Sequence, residues 1–400
     1  MTSVSLGLWV GIGSRYEPAR LNGVCHFIEH LLFKGTKRRS AREISQAVEG
    51  VGGYLNAFTS EEATCFHAKA CHDRFDEVFD VLADMLLHSK FAPADIGKER
   101  EVIKEEIAMY RDDPQQHVQE LLNAALWPNQ PLGRAITGTG ATLERMSRRH
   151  LIGYLHDNYV TDATVLVAAG RVKHRDAVRA GMRLARRLKT GSRATFAPVQ
   201  DGKPGPRVKL FTRKMEQTHL ALGFRACSRH DPRQFALRLL NTILGENMSS
   251  RLFQIVREDR GLAYSIYSTP SFFADAGDLV ISAGLDSENL PKTLPLILRE
   301  LRRCAKTAPS PAELRRARDY VRGQIDLGND STDYQMNWLG EQWLGYGRIQ
   351  SPEETKRRFG AVTPSQICAV AKSVFRPENL HLAMVSPWKD ESAVLDLLKF

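Results

Sequence analysis

Five consecutive residues, His26-Phe27-Ile28-Glu29-His30, carry the side chains best suited to chemistry. On a helix, positions 26, 29 and 30 share one face, because steps of three and four residues bring side chains together. Two imidazoles one turn apart can grip one divalent ion. The carboxylate between them can reach a water held by that ion. The order His-x-x-Glu-His reverses the His-Glu-x-x-His helix that grips zinc with the same residue types. Phe27, Ile28, Leu31 and Leu32 flank the group. A helix carrying two histidines and a glutamate among such residues is costly to bury unless the polar groups are paired or metal-bound. Cys25, beside His26, offers a thiol nucleophile, but the metal arrangement accounts for this neighbourhood better.

A tetrahedral zinc site needs a third protein ligand and an open position for water. Downstream runs the acidic stretch Glu99-Arg100-Glu101-Val102-Ile103-Lys104-Glu105-Glu106. Glu99 and Glu106 are seven residues apart and share a helix face, while Glu105 points about 100° away. Taken alone, this stretch reads more simply as a solvated charged helix.

The elements that must position these groups follow from periodicity and turn residues. Strands are expected at Ser5–Ile12, Tyr54–Ser60, Thr64–Ala70, Thr164–Ala169, His219–Arg225, Ala263–Thr269 and Gly277–Leu285. Helices are expected at Gly23–Phe33, Ala41–Val51, Asp73–Leu87, Asp95–Tyr110, Gln115–Leu126, Arg148–Asn158, Gln234–Leu244, Leu290–Cys304, Pro311–Leu327 and Asp333–Leu344. Tandem strands between long helices predict an α+β fold, with mainly antiparallel sheets covered by helices. The chain also repeats itself. Val4–Pro18 and Thr218–Pro232 are both apolar alternating segments ending in Ser-Arg-x-acid-Pro, offset by 214, and each precedes an apolar helix. The Gly-, Pro- and Ser-bearing stretch Gly191–Gly205 lies between the halves. Two homologous domains are expected, at 1–190 and 207–400, joined by a linker at 191–206. At the repeat offset, His26, Glu29 and His30 fall opposite Leu240, Ile243 and Leu244, so the first domain alone can bind metal there.

Composition sets the outer bounds. The 400 residues are 42% hydrophobic and 26% charged, which excludes a disordered chain. No uncharged apolar run reaches transmembrane length and no signal peptide stands at the start, so a cytoplasmic protein without a membrane partner is expected. The net charge of +10 concentrates between Arg171 and Arg193, where nine basic residues face one acid, Asp176. That segment lacks interleaved aromatics, so a solvated helix face is expected and a nucleic-acid partner is not. The six cysteines show no zinc-ribbon or disulfide spacing.

On these motifs the sequence resembles the pitrilysin-type (inverzincin) zinc metallopeptidases, in particular the short two-domain branch that includes bacterial zinc peptidases and the mitochondrial processing peptidase. Gly13–Thr36 resembles the family's signature segment, Gly52–Lys69 its substrate-binding hairpin, Glu99–Pro114 the helix of the distal ligand, and Gly245–Ser268 its C-terminal motif. The resemblance implies that His26, His30 and Glu106 hold one Zn²⁺ per chain, with Glu106 the required 76 residues after His30 and Glu99 supporting the ligands. It implies Glu29 as general base of an endopeptidase, with Arg257 and Tyr264, seven apart, holding and polarising a substrate carbonyl. Asn56, Ala57 and Phe58, in the strand Tyr54–Ser60, would contact a peptide added as an extra strand.

Family members work as a closing chamber of four such domains. A two-domain chain is then half of a clamshell, pairing as a homodimer or as a heterodimer with an inactive paralogue. The Arg257/Tyr264 clamp would face the partner's zinc. A non-catalytic scaffold or partner subunit of the same family is the alternative. Family members also carry a further strand before the segment that begins here at Thr2, so the expectation is either a misassigned start or a first sheet one strand short.

Overall fold

In this computed structural model, residues 2–200 and 208–398 are described. The expected linker at 191–206 lies partly outside them, and its described part, 191–200, forms neither helix nor strand. In chain order the strands are β1 (Ser3–Val10), β2 (Tyr54–Thr59), β3 (Thr64–Cys71), β4 (Thr164–Gly170), β5 (Val208–Thr212), β6 (Gln217–Ala226), β7 (Ser265–Phe272), β8 (Gly277–Asp286) and β9 (Leu380–Ser386). The helices that matter below are α1 (Val24–Leu32), α2 (Ala41–Glu49), α3 (Phe75–His88), α4 (Pro93–Asp112), α5 (Pro114–Leu126), α6 (Gly140–Arg145), α7 (Arg148–Asn158), α8 (His174–Ala185), α9 (Gln234–Leu244), α10 (Leu290–Lys306), α11 (Pro311–Gly328) and α12 (Thr332–Tyr346). Of the basic segment expected as a helix face, Arg175, Arg179 and Arg183 lie on α8, and the other six basic residues lie outside that helix.

The chain forms two compact units. One comprises Met1–Met109, Arg134–Ala197 and Leu327–Ile349; the other comprises Tyr110–Gly133, Pro198–Asp326 and Gln350–Phe400. The first holds a four-stranded antiparallel sheet of order β2-β3-β1-β4. The second holds five strands, β5-β9-β6-β8-β7, antiparallel except where β5 runs parallel to β9. Matching β1 to β6 as the 214-residue repeat requires, β2-β3-β1-β4 corresponds to β7-β8-β6-β9. Among the described residues the first sheet therefore has one strand fewer, and β5 has no counterpart there. The expected α+β class, with helices covering mainly antiparallel sheets, is the one observed.

Strand β1 explains how the first unit is layered. It is buried from Val4 to Val10, so both of its faces are covered. Leu6, Leu8 and Val10 enter the main core with Phe27, Ile28 and Leu31 of α1 and Val78 and Leu82 of α3. The alternate residues face α12. Trp9 joins Cys65, Val167, Ala169 and Met336 in a second cluster, and its Nε1 donates to Met336 Sδ at 3.2 Å. Gly340 lets α12 approach this closely, because a Cβ there would overlap the Trp9 indole. Ser5 Oγ lies 2.7 Å from both Thr332 Oγ1 and Asp333 Oδ1, hydrogen-bonded to each, and fixes the start of α12 on the strand.

The second unit repeats this layering with a different helix. Val118, Leu122 and Leu126 of α5 pack with Ala221 on β6 and with Ala383 and Val385 on β9. Each unit thus takes one covering helix from the opposite half of the sequence: α12 for the first sheet, α5 for the second. Among the described residues no helix is long and apolar enough to cross a membrane.

Candidate metal centre

The His-x-x-Glu-His helix begins where backbone geometry allows only glycine. Gly23 has φ +94°, and a Cβ there would press on the Thr137 carbonyl. Beside it, the Glu17 carboxylate accepts from Gly23 N at 2.7 Å, from Cys25 N at 2.9 Å and from Asn22 Nδ2 at 3.0 Å. The two backbone N–H groups among these are donors that the first turn leaves without intrahelical partners. Burial works against the charge on Glu17, outweighs the three N–H donors and pushes its pKa up to about 7. From this start, Val24, Phe27, Ile28, Leu31 and Leu32 turn into the core, leaving His26, Glu29 and His30 on the opposite side. On α4, buried Ile96, Ile103 and Ile107 set the inward stripe.

The structure brings four of the predicted residues together around one point. The Nε2 atoms of His26 and His30 lie 3.7 and 3.6 Å from Glu106 Oε2. One ligand atom from each residue falls within 4.8 Å of the others. Glu99 stands behind them: Oε2 is 3.1 Å from His30 Nδ1 and Oε1 is 2.9 Å from Lys34 Nζ. Three donors bound about 2.0–2.1 Å from a tetrahedral zinc ion stand roughly 3.3 Å apart, close to the observed spacing. Among the described residues no other group of three His, Cys, Asp or Glu side chains converges in this way.

Protonation fits a metal site too. Burial, and then the neighbouring His30, push the His26 pKa down to about 4, so this imidazole is neutral near pH 7 with one ring nitrogen unprotonated and able to hold a metal. Its Nδ1 is buried without a hydrogen-bond partner. Burial also opposes charge on His30, but Glu106 and Glu99 outweigh it and raise its pKa. Glu29 is raised by burial, against a hydrogen bond from Thr59. Thr59 Oγ1 donates to Glu29 Oε2 at 2.6 Å.

The remaining predicted residues sit as follows. Asn56, Ala57 and Phe58 lie on β2, at the edge of the first sheet. Ala57 packs towards the core beneath α1, whereas the Phe58 ring turns to the other face and meets Trp9 edge-on at 5.4 Å. Asn56 Oδ1 accepts from the Ala57 backbone N–H at 2.8 Å. Arg257 and Tyr264 belong to the second unit, Arg257 on a π-helical turn, Phe253–Glu258. The Arg257 guanidinium carbon lies 4.8 Å from the Phe253 ring centre and 5.7 Å from that of Tyr264. Tyr264 is 78% exposed. Cys25 is fully buried, its thiol is pushed well up by burial, and it contacts Tyr154 Oη at 3.5 Å; it is no nucleophile.

Three residues that position the site went unread in the sequence: Glu17, Lys34 and Thr59. Glu17 had a signal, since the acid of Ser-Arg-x-acid-Pro recurs as Asp231, which accepts from Arg233 N at 2.8 Å. Thr59 had only its place at the end of a strand, in phase with Ala57.

Residues 1–140 match the family described as Insulinase (Peptidase family M16). The chain is 37% identical to the uncharacterized zinc protease YmxG of Bacillus subtilis over 96% of its own length and 93% of the relative's. The chain belongs to peptidase family M16. Residues 145–321 of this M16 chain match the Peptidase M16 inactive domain. An uncharacterized zinc protease of Streptomyces coelicolor is 38% identical over 98% of this chain and 86% of its own. A crystal structure of a protease from Helicobacter pylori shares the M16 fold, with a TM-score of 0.89 and 19% identity over 97% of this chain and 95% of that one. In the second half of the M16 chain, Leu240, Ile243 and Leu244 stand where the repeat offset places His26, Glu29 and His30, and they are buried.

Proposed function

We propose that this chain is a zinc-dependent endopeptidase that cuts peptides or unfolded segments. The carrying observation is the convergence of His26, His30 and Glu106 with Glu29 one helical step away. The names of the M16 relatives support the broader reading, a zinc peptidase; the geometry supports the residue roles. His26, His30 and Glu106 would hold one Zn²⁺, and Glu99, clasped by Lys34, would keep the His30 ring oriented. Bound there, zinc supplies Lewis acidity to the scissile carbonyl and lowers the pKa of water towards neutrality.

The chain's own residues supply the proton traffic. Glu29 takes a proton from the attacking water and gives it to the leaving amine. Its burial raises the carboxyl pKa, which makes the carboxylate a stronger base towards the attacking water. The substrate backbone would pair with the edge of β2 at Asn56 and Ala57, gripping without strong sequence choice. Arg257 and Tyr264 would hold the polarised carbonyl. Two chains would form the reaction chamber, each lending its Arg257/Tyr264 pair to the other.

The test is hydrolysis of a mixed pool of unstructured peptides, read by mass spectrometry, with zinc content measured in parallel. The wild type should bind one zinc per chain and give products; Glu29→Gln should bind zinc and give none. Equal products from both would remove Glu29 as the base. Zinc-free protein without activity would favour the scaffold role.

A further inference from the structure

We propose that Thr59 is the positioning residue of Glu29. This rests on the proposed function, in which Glu29 is the base. The Thr59 hydroxyl donates to Glu29 Oε2 at 2.6 Å, a short charge-assisted bond. Among the described residues Oε1 accepts no hydrogen bond, so one carboxylate oxygen is anchored while the other is free to take a proton.

The anchor is itself held. Thr59 ends β2 and shares a strand face with Leu55 and Ala57, both packed on the main core. The turn that follows is closed by Ser60 N donating to Ala63 O at 2.8 Å, while Ser60 Oγ accepts from Ala63 N at 3.1 Å. That turn is pinned to the segment before α1, where Ser14 N donates to Ser60 O at 3.0 Å and Arg15 N to Glu61 O at 2.9 Å. Gly13 permits this contact, because a Cβ there would overlap the Ser60 and Glu61 backbone. Thr59 therefore offers its hydroxyl from backbone bonded on two sides.

A carboxylate on a flexible stem samples several rotamers. Fixing one oxygen confines the other to the arc where the attacking water must stand. Because Thr59 lies on the strand expected to receive substrate, the base keeps its place relative to the peptide and not only relative to its own helix.

Steady-state kinetics on one unstructured peptide test this, using wild type, Thr59→Val, Thr59→Ser and Glu29→Gln, with zinc content measured for each. Thr59→Val should lower kcat by about 10-fold to 100-fold, leave KM within about twofold, and keep its zinc. Thr59→Ser, which retains the donor, should recover most of kcat. Thr59→Ala is read in the same way if the valine variant does not fold. An unchanged kcat in Thr59→Val beside an inactive Glu29→Gln overturns the role of Thr59 alone. A serine variant as slow as the valine variant, or loss of zinc from Thr59→Val, also overturns it. Activity in Glu29→Gln overturns the proposed function instead.

Discussion

Glu17 makes the start of the His-x-x-Glu-His helix sensitive to pH in a direction unusual for a carboxylate. Its ordinary value is 4.5 and burial pushes it up to about 7 in the folded chain. Between those values the folded protein keeps a proton that the unfolded chain has released. The native state then binds more protons than the unfolded one, so stability falls as pH rises. The contribution is fully present below pH 4.5 and is lost through about pH 7. At about 1.4 kcal/mol per pH unit, a window of about 2.5 units amounts to about 3 kcal/mol. Glu17→Gln does not titrate and lacks this dependence. The assay is urea unfolding of both proteins from about pH 5 to about pH 8. The wild type should lose about 2–3 kcal/mol relative to the variant across that range. The other titrating groups cancel in the difference. A difference that stays flat would mean that Glu17 is ionised throughout, with its three N–H donors outweighing burial, and the reasoning would fail.

Glu99→Gln weakens the hold on His30 Nδ1 and leaves Lys34 without its ion pair, so zinc affinity should fall roughly 10-fold to 100-fold in a chelator competition; unchanged affinity would remove Glu99 from the site. Asp84, with its side chain buried, accepts from Thr36 at 2.7 Å and pairs with Arg39 at 2.8 Å and His88 at 2.7 Å. Asp84→Ala should cost about 3 kcal/mol in a denaturant titration, because it strands these partners. Gly340→Ala places a Cβ against Trp9 and should cost about 1–3 kcal/mol, with fluorescence of that indole reporting the displacement.

Much of this was legible in the sequence, and the reasons are local. Periodicity places His26, Glu29 and His30 on one face whatever the tertiary fold, and the seven-residue spacing of Glu99 and Glu106 does the same on α4. The helices Arg148–Asn158 and Gln234–Leu244 appear with the bounds expected for them, because Ser147 and a strong apolar stripe mark their limits. Strand β9 was missed: Leu380–Ser386 is buried at every position, so no polar alternation marks it. Periodicity also reveals that α5 and α12 have apolar faces, but not which sheet those faces cover. The role of Thr59 was invisible because a hydroxyl at a strand end has no preferred partner until the fold supplies one.

The exchange of covering helices sets a timetable for the nascent chain. All four strands of the first sheet have been synthesised by Gly170, yet α12 ends 176 residues later at Tyr346. At about 5–20 residues per second, translation leaves that sheet one-sided for roughly 10–35 s, with Trp9, Val167 and Ala169 uncovered. Helix α5 waits in the opposite sense, complete at Leu126 while β9 ends only at Ser386. Neither sheet can be covered on both faces until most of the message has been read. A chain cut short anywhere before Leu327 would present an apolar sheet face to whatever chaperone or protease meets it first.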